Sequence, residues 1–188
     1  MLTLGVDQSA RNSGVCILDD TGKPTFLQRI TPPKELCDTE RLQFIRNSLQ
    51  EIITTHPGIV KAAMEGYSYS SINQKFTLGE IGGVVKLVLA DYAIPLLIVA
   101  PKQLKKFATG RGSSSKEQVQ VGIKSKWDES ISQNDESDAY VLARIAYTSL
   151  QQNYTTNRAE LEVIKKLSVG PLRKLKGRRR LSGLRNSI

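Results

Sequence analysis

Two apolar runs, Leu2-Thr3-Leu4-Gly5-Val6 and Val15-Cys16-Ile17-Leu18, flank a polar connector that opens on Asp7 and continues Gln8-Ser9-Ala10-Arg11-Asn12-Ser13-Gly14. Short apolar runs bounded by small polar residues read as β-strands. Asp20-Thr21-Gly22-Lys23 supplies turn residues, so a third strand over about Thr25–Ile30 forms a hairpin with the second. Pro32-Pro33 then breaks the chain.

Beyond that break the apolar spacing becomes helical. Leu42, Ile45, Leu49, Ile52 and Ile53 predict a helix over about Asp38–Thr55, closed by Pro57-Gly58. Ile59–Met64 is a fourth strand, ending at Glu65. A helix over about Asn73–Tyr92 carries Ile81, Val84, Val85, Val88 and Tyr92 on one face, with Gly79, Gly82 and Gly83 inside it. Each glycine costs about 1 kcal/mol against alanine, so close packing against a neighbour is the expected compensation. Pro95–Val99 is a fifth strand, and Pro101 suits the first turn of a short helix that Gly110 ends. Ser114-x-x-Glu117 has the capping-box pattern and opens a helix to about Trp127. The last long helix runs from Asn134 or Asp135 to about Leu150. These elements predict an α/β fold over residues 1–150, a mixed five-stranded sheet with helices on its faces.

Composition narrows the function. A chain of 188 residues, 39% hydrophobic, can bury one real core. It has no apolar stretch of about 18 residues and no signal-peptide pattern at MLTLGVDQSA, so a cytoplasmic protein, bacterial or in the host of a phage, is expected. Cys16 and Cys37 are expected to stay reduced. The single histidine, His56, reads as a helix end, which nearly excludes histidine-dependent triads and a structural zinc site. Residues 1–150 carry a net charge of +1 and residues 151–188 a net of +8. A basic tail beside a near-neutral domain points to a polyanionic partner, with nucleic acid first. Leu161, Ile164 and Leu167 mark a short helix in that tail, which is expected to be partly helical or disordered.

Four carboxylates fall at element ends. Asp7 and Glu65 close the first and fourth strands, and they sit side by side if those strands are parallel. Asp135 and Asp138, three residues apart at a helix start, share one face. Each has an ordinary structural role available: a turn, a cap, a solvated strand end. If all four converge, their repulsion requires cations, and an oxygen-only ligand set points to Mg²⁺ or Mn²⁺. Two such ions serve phosphodiester cleavage.

The motifs resemble those of RuvC-type Holliday junction resolvases of the RNase H-like superfamily, of bacterial or bacteriophage type. Leu4-Gly5-Val6-Asp7 with Arg11 and Ser13-Gly14 resembles the first motif, and Ala63-Met64-Glu65 the second. Ala100-Pro101-Lys102-Gln103-Leu104-Lys105 through Gly110-Arg111-Gly112-Ser113-Ser114-Ser115-Lys116-Glu117-Gln118-Val119-Gln120 is similar to the basic segment, and Asn134-Asp135-Glu136-Ser137-Asp138-Ala139 to the last acidic motif. Gln8-Ser9-Ala10 departs from the bacterial Pro-Gly-Ser. The resemblance implies a homodimer that nicks a four-way DNA junction symmetrically with Mg²⁺, for which Mn²⁺ substitutes. It implies Asp7, Glu65, Asp135 and Asp138 as catalytic metal ligands, with Glu136 the competitor of Asp135. It implies Lys105 and Lys116 at the DNA backbone, Lys116 also supporting the chemical step, with Arg111 nearby. An aromatic that stacks on an opened base falls at Ser68, flanked by Tyr67 and Tyr69. The remaining alternatives are a broader branched- or flap-DNA endonuclease with the same chemistry, a non-catalytic junction-binding protein, and an actin-like phosphotransferase, which would need a second domain.

Overall fold

The five expected strands are β1 (Leu2–Asp7), β2 (Ser13–Leu18), β3 (Pro24–Ile30), β4 (Ile59–Glu65) and β5 (Leu96–Val99). They form one sheet in the order β3-β2-β1-β4-β5 in the computed structural model, which describes residues 1–9, 11–66, 72–151 and 157–168. The sheet is mixed: β1 pairs antiparallel with β2 and parallel with β4, β3 is antiparallel to β2, and β5 is parallel to β4. The helices are α1 (Asp38–Thr55), α2 (Ile72–Asp91), α3 (Pro101–Thr109), α4 (Lys116–Trp127), α5 (Asn134–Thr148) and α6 (Arg158–Ser168).

Helices cover both sheet faces, which explains why β1 and β2 read as near-continuous apolar runs. Successive side chains of a strand point to opposite faces. Val15 and Ile17 join Leu4 and Val6 in a core with Ile45 and Leu49 of α1 and Ile81 and Val88 of α2. Cys16 and Leu18 enter the other core, with Phe107 of α3, Ile123 of α4 and Tyr140 of α5.

α5 is the best buried helix, and two glycines seat it. A Cβ on Gly5 would lie 2.0 Å from the Ala139 carbonyl oxygen, and one on Gly14 would lie 2.0 Å from that of Asp135. Neither position tolerates a side chain, so the helix backbone rests directly on β1 and β2.

Three local expectations change. Ser115, not Ser114, is the N-cap of α4: its Oγ accepts from Gln118 N at 3.3 Å, and Gln118 Oε1 accepts from Ser115 N at 2.9 Å. The buried Ser114 hydroxyl instead donates to Arg111 O at 3.0 Å and meets the Thr109 hydroxyl at 2.7 Å, tying the α3–α4 turn together. In α2, a Cβ at Gly79 or Gly83 would meet nothing within 4 Å, so no close packing within the described residues accounts for these glycines.

The third change concerns the domain boundary expected at residue 150. α6 packs against α3 and buries Val163 and Ile164 in the core of Phe107 and Tyr140. Lys106 pairs with Glu162, and Lys126 Nζ lies 2.8 Å from Glu160 Oε1 while donating to Phe107 O at 2.6 Å. The amphipathic pattern of α6 therefore belongs to the packed domain, which extends through residue 168. No helix among the described residues is long and apolar enough to cross a membrane.

Candidate active site

The parallel pairing of β1 with β4 aligns Val6 with Met64, so Asp7 and Glu65 emerge together at the C-terminal edge of the sheet. Across β1–β2, Asp7 is paired with Gly14, the residue on which the first turn of α5 rests. That contact brings Asp135 and Asp138 to the same edge. All four carboxylates line one cavity of about 520 Å³, together with Lys105 and Lys116. The convergence inferred from element ends is what the fold produces.

Burial and mutual charge hold Asp7, Glu65 and Asp138 above the ordinary carboxylate range. Asp7, 8% exposed, is raised well above its usual value by burial first, then by Asp138, Glu65 and Asp135. Glu65 is pushed up to about 7 by burial and then by Asp138, with Lys116 and Lys105 opposing. Asp138 is pushed up to about 6, chiefly by burial and with Lys116 opposing. Like charges about 4 Å apart repel by roughly 4 kcal/mol at an effective dielectric near 20. No three His, Cys, Asp or Glu side chains among the described residues gather closely enough to hold one ion.

The residues nevertheless fit a hard divalent cation. Every anionic donor is a carboxylate oxygen, and no cysteine or histidine lines the cavity. Gln8 adds another oxygen: its Nε2 donates to Glu65 O at 2.9 Å, while its buried Oε1 has no hydrogen-bond partner among the described residues. A buried acceptor without a partner is costly unless water or a cation meets it.

The sequence-predicted residues divide into three groups. Asp7, Glu65, Asp135, Asp138, Lys105 and Lys116 come together. Glu136 turns away and pairs with Arg29 of β3, Nε to Oε1 3.7 Å. Arg111 does not join them; it lines a separate groove between α3 and α4 with Ser113, Glu117 and Lys126. Tyr67 and Tyr69 lie outside the described residues. Sequence reasoning missed Arg41 and Gln8, both of which line the carboxylate cavity. Gln8 adjoins Asp7 and was open to inference; Arg41 sits in the first turn of α1, and nothing in its local pattern marks it.

The family model for crossover junction endodeoxyribonuclease RuvC matches residues 3–146. The RuvC of Roseiflexus sp. is 30% identical over 125 residues, spanning 65% of this chain and 74% of the relative. That of Rickettsia typhi is 28% identical over 155 residues, spanning 80% and 97%. Among solved structures, T. thermophilus RuvC in complex with Holliday junction substrate superposes with a TM-score of 0.67 at 19% identity, covering 76% of this chain and 90% of the other. That likeness establishes the RNase H-like fold, and the match across most of the domain establishes kinship: the chain belongs to the RuvC family of crossover junction endodeoxyribonucleases.

Proposed function

We propose that this protein is a divalent-metal-dependent endonuclease that resolves four-way DNA junctions by paired nicks, acting as a homodimer with Mg²⁺, for which Mn²⁺ substitutes. The observation that carries this reading is the convergence of Asp7, Glu65, Asp135 and Asp138 beside Lys105 and Lys116, in a chain of the RuvC family. Asp7, Glu65, Asp135 and Asp138, which line one cavity, are the residues that would hold the cations. Bound there, the metal supplies an activated water and stabilisation of the leaving oxygen.

The chain's own residues do the rest. Asp7, Glu65 and Asp138, whose proton affinity burial raises, would exchange protons for cations. Lys116, on the cavity wall with Asp7, Glu65 and Asp138, would stabilise the charge that builds on the phosphate being cut. Lys105, also on the cavity wall, meets the backbone as a compact point charge. A base opened at the junction would stack on Tyr69 or Tyr67. Dimer formation is supported by one face of α2, where Phe76 and Leu87 are 75% and 67% exposed and Gly79 and Gly83 leave room for a second copy.

The test is incubation of the purified chain with a mobile four-way junction, a flap and a plain duplex, each with Mg²⁺, Mn²⁺ or EDTA. Paired nicks in junction arms of like polarity, abolished by EDTA, are expected. Equal cutting of flap and junction would turn the reading to a broader branched-DNA nuclease, and binding without cutting in either metal would overturn the catalytic assignment.

A further inference from the structure

A second cavity, of about 660 Å³, adjoins the carboxylate site, and its wall carries three bases: Arg11, Lys34 and Arg41. Arg11 and Arg41 line both cavities, Lys34 lines only the second, and Lys105 and Lys116 line only the first. Among the described residues no acidic side chain lines the second cavity. Among the described residues none of the three bases makes an ion pair, although residues 1–150 hold nearly equal numbers of acids and bases.

The three bases come from separate segments that the fold ties together. Arg11 lies in the β1–β2 connector, whose Asn12 Oδ1 accepts from the Thr31 hydroxyl at 3.1 Å. Lys34 follows Pro32-Pro33, whose rings fix the backbone and remove two N–H groups from the wall. Arg41 Nη2 donates to Leu36 O at 2.9 Å, which anchors one edge of its guanidinium and leaves other donors available. The second cavity gathers three cations on a wall to which the carboxylates of the first do not contribute, and an anion there relieves their mutual repulsion.

We propose that Arg11, Lys34 and Arg41 form a second phosphate site, which holds a DNA backbone phosphate neighbouring the one at the carboxylates. This rests on the junction-nuclease reading. A strand whose cut phosphate lies over Asp7, between Lys116 and Arg41, passes its next phosphate into the second cavity. Arg41 there offers a planar fork and Lys34 a mobile point charge. The two sites together set the register of the strand over the carboxylates, because phosphate contacts position a protein on DNA without reading sequence.

The experiment is a salt titration of binding to a labelled four-way junction in EDTA by the full chain and by Lys34→Ala, Arg11→Ala and Lys116→Ala. Each lost phosphate contact should flatten the slope of log affinity against log salt by roughly 0.9. A junction carrying one neutral methylphosphonate beside the cut position should bind the unaltered protein more weakly, with little further loss for Lys34→Ala. Lys34 is exposed and makes no ion pair among the described residues, so this variant keeps the fold even if Arg11→Ala does not. Unchanged slopes for Lys34→Ala and Arg11→Ala, with Lys116→Ala flattened, would overturn the second site and leave the nuclease reading standing. Failure of the unaltered protein to prefer the junction over duplex would overturn that reading and the second site with it.

Discussion

Gly14 and Asp135 touch where the active site is assembled: a Cβ on Gly14 would lie 2.0 Å from the Asp135 carbonyl oxygen. Gly14 is also the cross-strand partner of Asp7. One missing side chain thus lets the helix bearing two carboxylates reach the strand bearing a third. Gly14→Ala should displace the first turn of α5. Overpacking of this kind costs about 1–3 kcal/mol, and cleavage should fall further than stability does. The check is calorimetry beside single-turnover kinetics; a folded, fully active Gly14→Ala protein would contradict this account of the seat.

Asp7→Asn removes one charge at nearly constant volume. Loss of groups that merely support metal ligands costs about 10–100-fold, so loss of a direct ligand should slow cleavage by more than about 100-fold. Junction binding should persist. Because the Asp7 carboxylate is buried among like charges, the variant should melt no lower than the parent in EDTA. Normal nicking at saturating Mg²⁺ would remove Asp7 from the site.

Asp135 and Glu136 separate cleanly. Asp135 lines the carboxylate cavity, whereas Glu136 meets Arg29 at 3.7 Å. Asp135→Asn should abolish most cleavage. Glu136→Gln loses only a partly exposed ion pair, worth about 0–1 kcal/mol, and should cut at close to the parental rate. Rates for the two amides on one junction decide the matter, and the reverse ranking would be fatal to the assignment.

The raised carboxylates also make stability depend on pH. Glu65 rises from 4.5 to about 7 and Asp138 from 3.8 to about 6, so the folded state holds protons that the unfolded chain has released. Their contribution to stability is complete below the unfolded values and disappears as pH rises through the folded ones. In EDTA the melting temperature should therefore fall between about pH 4 and pH 7. Glu65→Gln should flatten that fall, and Mg²⁺ should recover more stability at the alkaline end. A melting temperature that climbs over this interval, and does so equally in Glu65→Gln, would contradict the raised values.

Two truncations distinguish α6 from the residues C-terminal to it. Removing residues 157–188 deletes the buried Val163 and Ile164 and the partners of Lys106 and Lys126. Emptying one such site, as in Ile164→Ala, costs about 2–5 kcal/mol, so the longer truncation should melt well below the parent. Removing only residues 169–188 deletes seven basic residues and no acidic one. That shorter truncation should keep the melting temperature and flatten the salt dependence of DNA binding, as scanning calorimetry and a salt titration would show. Equal melting of both truncations would mean that α6 adds nothing to the core.

The strands, the helix α1 and the stop of α3 at Gly110 were legible because each is written in adjacent residues. Alternating or helical spacing, proline breaks and a glycine at φ 86° act over a few positions. The spacing of Asp135 and Asp138 is local too, so their common face followed from helical periodicity. What periodicity leaves open is which surface a helix meets. The seat of α5 depends on Gly5 and Gly14, more than a hundred residues away in sequence, where the decisive feature is an absent side chain. Arg111 left the expected site and Arg41 joined it for the same reason: a charged surface residue reads alike whichever cavity it lines, and only the packing of α1, α3 and α4 assigns it. Ser114 matched the local capping pattern, but its hydroxyl engages Thr109 and Arg111 across the α3–α4 turn, and Ser115 caps the helix instead. α6 joined the domain because Val163 and Ile164 found an apolar surface to which α3 and β5 contribute, and no property of residues 158–168 alone specifies that surface. Local chemistry determined the elements and the carboxylates at their ends; long-range packing, which depends on every surface at once, determined where those ends meet.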